Sequence, residues 1–386
     1  MDSLSQIVLG ASVQGAILGK YQGRKAYLYG AMLGTLPDLD VVISYGDPIS
    51  NMTYHRGFSH SLIVLTAVGL SGAWLISRYH KWRNLPLPYS FRRLAAAMTL
   101  ALTTHPILDS FTVYGTQLLW PLHEAINLTP ISIASIFIID PLYTLPLLIA
   151  MIVGFIKGRK LSIFKKGLLA NCQRFAVWML IISSSYLLLS VGLKFYASDQ
   201  AKHALSAAGI NNIVRSKTMP VLPTILMWRT LAKDEQNRLI EIRGSVLDKR
   251  LPEYRYLSQY DNSPALRATV PNASQPYAKR LDWFSNDWTG YRTQMLPATN
   301  DYSHTITEQL VVDDLRMMAD NTAFFSFVLA NKSKPNLPWQ AIEPINAPRV
   351  TIGEQSSRLE LIKQGFKRVF DESVVDEDSG WVVTND

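Results

Sequence analysis

The chain contains little cysteine and little charge for its length. Of its 386 residues one is cysteine, Cys172, and 18% are charged, against about 25% in a typical soluble domain. A single thiol excludes an intramolecular disulfide framework and a zinc site built from cysteines. Apolar residues make up 48% of the chain, which excludes a disordered polypeptide. The chain therefore has to bury extensive apolar surface, in a protein core or in a lipid bilayer.

The excess of positive charge lies in one half of the chain. The formal net charge is +8, but residues 1–197 carry 16 Lys and Arg against 7 Asp and Glu, whereas residues 198–386 carry 22 against 23. Because the basic half is also the apolar half, its charge indicates membrane topology rather than a nucleic-acid surface. We therefore expect membrane lipids as partners and no nucleic acid.

Apolar segments long enough to cross a bilayer, roughly 20 residues each, occur in this half. The clearest are Ile131–Ile156, Phe175–Tyr196 and Ser61–Ile76. Weaker candidates, shorter or interrupted by polar groups, are Leu4–Gly19, Ala26–Ile43 and Leu94–Leu108. Small residues such as Gly10, Gly30 and Gly34 favour close packing between helices of this kind.

Three loops between these segments hold 14 of the 16 basic residues and no acidic residue. They are Lys20–Lys25, Arg78–Arg93 and Lys157–Arg174. Placed in the cytoplasm by the positive-inside rule, they define six segments with both termini outside. The sequence thus predicts a multi-pass protein of the inner membrane with an extracytoplasmic C-terminal domain.

Beyond Ala197 the composition becomes that of a soluble domain. Segments rich in β-branched and aromatic residues predict strands, and a short helix is predicted at Ala201–Ala208. The strands are Thr224–Leu231, Arg238–Val246 and Thr322–Ala330, with a hairpin turn at Lys233–Asn237 between the first two. The predicted fold is an α-helical membrane bundle of about six membrane-embedded helices (1–197), followed by a smaller, β-rich α+β soluble domain (198–386).

Residue types that bind metals are concentrated in four short segments. They are Leu36–Asp40, His55–Ser61, His105–Asp109 and Ile139–Pro141. Ionisable groups at membrane depth are costly and are functional candidates for that reason. Imidazole together with carboxylate suits a divalent ion, with zinc first and manganese or iron as alternatives.

The spacing of these residues indicates how they come together. His105 and Asp109 are four apart, one above the other on a helix, whereas His55 and His60 need an irregular turn, which Gly57 could supply. Alternatives without a metal stay open: a hydrogen-bonded interior His105, and capping or turn roles for Asp38, Asp40 and Asp140.

Three further residues are candidates for catalysis. Arg56 is suited to stabilising an anionic substrate, the alternative being an ion pair with Asp47 or Asp38. His123 could donate a proton to a leaving group, the alternative being a surface role. Asp140 is the third candidate.

Together these motifs resemble the YdjM-like family (LexA-regulated, hydrolase-like), whose members are described as bacterial inner-membrane metal-dependent hydrolases. The resemblance covers residues 1 to about 197 and rests on Gly34–Asp40, His55–Ser61, His105–Ser110, Tyr114–Gln117 and Asp140-Pro141. It implies a metal-binding set of Asp38, Asp40, His55, His60, His105 and Asp109, with Asp140 as a further member. One departure is Gln6, where some members carry histidine.

Two functions follow as hypotheses. The first is a metal-dependent hydrolase acting on a phosphoester or lipid-linked substrate at the outer face of the inner membrane. The second is a non-catalytic membrane anchor with a structural metal, whose soluble tail binds an envelope partner. Oligomeric state is not predicted by the sequence.

Overall fold

The computed structural model describes residues 3–126, 128–159, 166–221, 224–295, 308–319, 322–334, 336–348, 358–372, 374 and 380–382. Its internal contacts divide the chain into two units. The first unit comprises Met1–Ile43 and His55–Val191, and the second comprises Ser44–Tyr54 and Gly192–Asp386. Hydropathy does not predict that Ser44–Tyr54 lies with the second unit.

The first unit is helical. Its helices are α1 (Ser3–Gln22), α2 (Arg24–Thr35), α4 (Leu62–Trp82), α5 (Phe91–Ser110), α6 (Leu122–Ala125), α7 (Pro141–Lys157) and the first part of α8 (Lys166–Ala207). Two short 3₁₀ turns, Leu36–Val42 and Phe58–His60, lie between them in the chain. The core between α1, α5 and α7 is apolar and includes Val8, Leu9, Val13, Ala101, Leu108 and Leu147.

Helices α1 and α2 approach each other closely at three glycines. A Cβ at Gly34 would lie 2.5 Å from the carbonyl oxygen of Gln6, and Gly10 and Gly30 face each other in the same way. Only glycine allows two backbones to approach so closely, as small residues do in membrane helix pairs. This contact brings the C-terminal end of α2 beside the first turns of α1.

The structure corrects the predicted number of membrane-spanning helices. Among the described residues two helical segments, rather than six, are long and apolar enough to cross a membrane, Leu62–Trp82 and Gly167–Ala207. Helix α7 is apolar but has 17 residues, and α2 has 12. Helix α1 is long enough, but it buries polar side chains, Ser5, Gln6, Ser12 and Gln14, which lowers its hydropathy.

Two predicted segments have different helix boundaries in the structure. The candidate span Ile131–Ile156, which the sequence interrupts at Asp140-Pro141, contains α7, and this helix begins at Pro141, where the Asp140 carboxylate accepts a hydrogen bond from the Leu142 N–H. Proline lacks an N–H and fits the first turn of a helix, so it marks this start. The short helix predicted at Ala201–Ala208 is the C-terminal end of the 42-residue α8.

The second unit contains two antiparallel four-stranded sheets, as the β-rich prediction requires. The first has the order β1-β2-β3-β4 and the second the order β10-β9-β6-β5. The strands are β1 (Ile213–Pro220), β2 (Met227–Asp234), β3 (Leu239–Ser245), β4 (Glu253–Tyr256), β5 (Thr289–Met295), β6 (Glu308–Asp314), β9 (Ser326–Lys332) and β10 (Gln340–Asn346), and β7 (Met318–Ala319) pairs with β8 (Thr322–Ala323).

Helices complete the second unit. They are α3 (Pro48–Tyr54), α9 (Pro264–Ala268), α10 (Gln275–Ser285) and α11 (Arg358–Phe370). Helix α3 packs against α10 and β10. The last turns of α8 bury Ala201, Ala204 and Leu205 against the first sheet.

Candidate metal centre

Four acidic and imidazole side chains converge inside the first unit. The 3₁₀ turn Leu36–Val42 carries Asp38, the 3₁₀ turn Phe58–His60 carries His60, and α5 carries His105 and Asp109. One carboxylate oxygen or ring nitrogen of each lies within 4.8 Å of the other three. All four residues are buried, and His60 and His105 are 0% and 1% exposed.

The distances between the inward atoms are short and similar. Asp38 Oδ1 lies 3.3 Å from His60 Nε2 and 3.2 Å from His105 Nε2. Asp109 Oδ2 lies 3.4 Å from His60 Nε2 and 3.6 Å from His105 Nε2. The last pair is the helical i, i+4 pair that the spacing predicts.

The tautomer of His105 follows from its backbone partner. Its Nδ1 lies 2.6 Å from the carbonyl oxygen of Gly34, an atom that can only accept a hydrogen bond, so Nδ1 carries the proton. In the neutral imidazole Nε2 then has a lone pair directed at the cluster. The close α1–α2 contact at Gly34 helps place this carbonyl.

A chain of hydrogen bonds fixes His60 in the same way. Ser59 Oγ donates to Asp40 Oδ2 at 2.6 Å and lies 2.9 Å from His60 Nδ1. Since the Ser59 proton is used on Asp40, the serine oxygen accepts from Nδ1–H of His60, and Nε2 again presents a lone pair. Asp40 Oδ1 in turn pairs with His55 Nδ1 at 2.9 Å.

Asp109 is held from two sides. Gln6 Nε2 donates to Asp109 Oδ1 at 2.8 Å and to the His105 carbonyl oxygen at 3.3 Å. On the other side Arg56 Nε forms an ion pair with Asp109 Oδ2 at 3.1 Å. Two buried carboxylates and one guanidinium leave one uncompensated negative charge when both imidazoles are neutral, which is costly in a buried site.

These residues fit a divalent cation. The four inward atoms, Asp38 Oδ1, His60 Nε2, His105 Nε2 and Asp109 Oδ2, are buried and make no hydrogen bond of good geometry within the described residues. Around an ion with bonds of about 2.0–2.2 Å, tetrahedral ligands lie about 3.3–3.6 Å apart. The four nitrogen–oxygen distances of 3.2–3.6 Å match this separation.

Comparison with known proteins gives the family. The family model described as YdjM inner membrane protein matches residues 1–198, about half of the chain. The chain belongs to this family. The resemblance seen in the sequence motifs is thereby confirmed, and membership supports placement in the inner membrane.

A curated relative was also found. The chain is 33% identical over 95 residues to the inner membrane protein YbcI of Escherichia coli (strain K12), an alignment that covers 24% of this chain and 51% of YbcI. It therefore spans about half the length of that relative. No solved structure matches the chain.

The sequence also predicted site residues that are not among these four. Asp40 and His55 pair with each other beside the cluster, and their assignment as ligands stays a prediction. Asp140 is the N-cap of α7 and accepts a hydrogen bond from the Tyr186 hydroxyl at 2.8 Å. The side chain of His123 lies outside the described residues.

Arg56 has a different partner from those considered on the sequence. It pairs with Asp109 rather than Asp38 or Asp47, is 2% exposed, and has its guanidinium 4.8 Å from the centre of the Tyr114 ring. Its backbone takes a positive φ of 65°, which is uncommon for a residue other than glycine. The irregular turn between His55 and His60 thus contains its left-handed residue at Arg56 and not at Gly57.

Three supporting contacts were not predicted from the sequence. They come from the Gln6 amide, the Ser59 hydroxyl and the Gly34 carbonyl. Ser59 precedes His60 directly, and Gln6 stands where the sequence resemblance places a histidine in some members, so both positions had a signal. The contact from Gly34 is made by a backbone carbonyl, which every residue has, so residue types alone do not predict it.

Proposed function

We propose that the chain is a metal-dependent hydrolase of the inner membrane, with one divalent cation held by Asp38, His60, His105 and Asp109. The observation that carries this proposal is the set of four buried ligand atoms that face one another and form no hydrogen bond of good geometry with any described residue. Two imidazoles and two carboxylates suit zinc best, with manganese or iron as alternatives. Asp40 and His55 then act around the centre by holding Ser59 and, through it, His60.

The residues around the centre support hydrolysis of an anionic substrate. A bound cation would supply positive charge that polarises the scissile group and activates water. Arg56 lies at the same carboxylate as the centre and would bind a phosphoryl oxygen by its remaining donors. We therefore propose a phosphoester, lipid-linked in the membrane, as the substrate class.

A small cavity borders Asp109. It lies between the start of α1, the end of α5 and the start of α7, and its lining includes Gln6, Leu108, Asp109, Ile136 and Asp140. With a volume of about 20 Å³, it has room for about one water molecule. We propose that Asp140, which also lines this cavity, takes part in catalysis.

The charge distribution supports an orientation. With the three basic loops in the cytoplasm, the centre and the C-terminal unit lie at the outer face. In this arrangement the protein is multi-pass, and α1, α2 and α5, which contact one another, are among its membrane-embedded helices.

A structural metal is the second candidate, and the burial of all four ligands favours it. Structural sites are closed by protein ligands, whereas catalytic sites keep a position open to water. Under this alternative the centre stabilises a non-catalytic anchor, and the C-terminal unit binds an envelope partner.

Metal content tests the centre. Full-length protein purified in detergent without chelators should contain one divalent ion per chain. His60→Ala should lose it, because one nitrogen ligand is removed and two carboxylates face each other with less compensation. His80→Ala on α4 is the control and should keep the ion. Folded wild-type protein without metal, or His60→Ala with a full ion, contradicts the centre.

Coordination and turnover separate the two candidates. In cobalt-substituted protein, a spectrum that changes on adding inorganic phosphate indicates an open position and supports the hydrolase. Hydrolysis of a chromogenic phosphodiester that disappears in Arg56→Ala, assayed at a metal concentration that saturates both proteins, supports it further. An unchanged cobalt spectrum with no hydrolysis favours the structural metal.

A further inference from the structure

The segment Ser44–Tyr54, here called the inserted segment, connects two parts of the chain that lie beside the candidate centre. One part contains Asp40 and the other begins with His55. The inserted segment follows Ile43, three residues after Asp40, and it ends directly before His55 and Arg56. Asp40 Oδ1 and His55 Nδ1 lie 2.9 Å apart, so the two ends of the segment are close together at its base. The segment itself belongs to the second unit.

The inserted segment is internally ordered. Asp47 Oδ1 accepts hydrogen bonds from the backbone N–H groups of Ile49 and Ser50, both at 2.9 Å, and so caps the start of α3. The Tyr45 and Tyr54 rings stack with centres 5.1 Å apart. The first and last parts of the segment are therefore tied to each other.

One side chain of α10 fixes the end of this segment. Arg280 Nε donates a hydrogen bond to Thr53 Oγ1 at 2.6 Å, and the guanidinium lies 3.6 Å from the centre of the Tyr54 ring. Thr53 is fully buried. A planar guanidinium can satisfy a hydroxyl and stack on an aromatic ring at once, which lysine cannot. Arg280 thus fixes the end of the inserted segment within the second unit, directly before His55 in the chain.

The next two residues act on the ligands. Arg56 has its backbone N–H 3.4 Å from Asp40 Oδ2 and its Nε 3.1 Å from Asp109 Oδ2. His55 holds the other oxygen of Asp40, the residue that orients Ser59 and His60. Both residues follow Tyr54 directly in the chain.

We infer that Arg280 is a positioning residue for the metal centre, and that the C-terminal unit sets the metal affinity of the centre through the inserted segment. The inference rests on the proposed metal centre and gives the C-terminal unit a role in it. Residues in contact with metal ligands typically change affinity about 10–100-fold when they are replaced. Arg280 acts one step further out, so we expect its loss to weaken binding by about 3- to 10-fold.

The experiment measures the affinity of full-length protein in detergent for Co²⁺. Arg280→Ala should weaken it, Arg280→Lys should restore part of it, and Thr53→Val, which removes only the hydroxyl that Arg280 contacts, should weaken it in the same direction. Lys279→Ala is the matched control, because Lys279 is an exposed cation on the same helix. The control should bind like the wild type.

The outcomes separate this inference from the proposed centre. Wild-type protein that binds no Co²⁺ refutes the centre itself and the inference with it. Wild-type binding with Arg280→Ala equal to Lys279→Ala refutes only the inference. Should Arg280→Ala fail to fold, Thr53→Val decides, since unchanged affinity in this shape-conserving variant overturns the inference.

Discussion

Three of the four ligands of the candidate centre are oriented by an atom on their far side. The Gly34 carbonyl holds His105, Ser59 holds His60, and Gln6 holds Asp109. Such contacts fix the ring tautomer and the carboxylate orientation before a metal binds. Metal binding then costs less conformational freedom of these side chains. The centre is therefore preorganised by uncharged groups, and its charge lies in the ligands and Arg56.

Replacing Gln6 tests this preorganisation. In Gln6→Leu the hydrogen bond to Asp109 Oδ1 and the one to the His105 carbonyl are both lost, and the carboxylate can rotate away. We expect metal affinity to fall by about 10–100-fold, measured by Co²⁺ titration. Gln14→Leu is the control, a buried glutamine two turns further along α1. Equal affinities in the two variants would show that Gln6 has no orienting role.

At this scale the sequence predicts ligand types better than ligand geometry. His105 and Asp109 were predictable as a pair because both lie on one helix at a spacing of four. Asp38 and Asp40 could not be told apart, since a 3₁₀ turn brings Asp38 into the cluster and directs Asp40 to Ser59 and His55. That difference depends on backbone dihedrals, which residue types do not specify.

At the scale of elements, the α1–α2 contact connects packing with the site. The glycines of both helices allow the backbones to touch, and the same contact sets Gly34 and Gln6 against α5. A substitution that disturbs this contact should therefore weaken metal binding and also lower the stability of the fold.

Gly34→Ala is the corresponding prediction. The new Cβ would lie 2.5 Å from the Gln6 carbonyl oxygen, so the helices must separate, at a cost of about 1–3 kcal/mol. The Gly34 carbonyl would also move from His105, and metal affinity should fall with the unfolding temperature. The control is Gly192→Ala on α8, where the described residues place no atom within 4 Å of the new methyl group. Equal melting temperatures and metal contents in the two variants would contradict the close contact.

Strands and hairpins were predictable where local pattern decides them. The predicted turn at Lys233–Asn237 joins β2 and β3, which pair in antiparallel register, and Asp234 accepts hydrogen bonds from the backbone N–H groups of Gln236 and Arg238. The predicted strand Thr322–Ala330 is divided between β8 and β9. Alternation alone does not reveal such a break, because it depends on which neighbour each half pairs with.

At the scale of the whole molecule, hydropathy and charge give different counts of membrane helices. Two described helical segments qualify as spans by length and composition, whereas three basic loops without acidic residues divide the first half into six segments. Hydropathy is lowered wherever a helix contributes polar residues to a buried site, as α1 and α5 do with Gln6, His105 and Asp109. Under the proposed six-span arrangement, the residues of the centre themselves lower the hydropathy of the helices that carry them.

Reporter fusions decide between two spans and six. Alkaline phosphatase, which is active only outside the cytoplasm, would be fused after Asn84, after Ala125 and after Asp386. In both arrangements Asn84 lies in a basic cytoplasmic loop and Asp386 outside, so these two fusions serve as controls for the positive-inside rule. The fusion after Ala125 separates them, because four spans precede it in the six-span arrangement but only α4 precedes it in the two-span arrangement.

The proposed orientation with six spans predicts activity after Ala125 and Asp386 and none after Asn84. This result would place the end of α5, with Asp109, near the outer face, where a lipid-linked substrate in the outer leaflet could reach it. Activity after Asp386 without activity after Ala125 would support two spans and place that end of α5 towards the cytoplasm. Activity after Asn84 would contradict the orientation altogether, since the five basic residues of Arg78–Arg93 would then lie on the side that the positive-inside rule forbids.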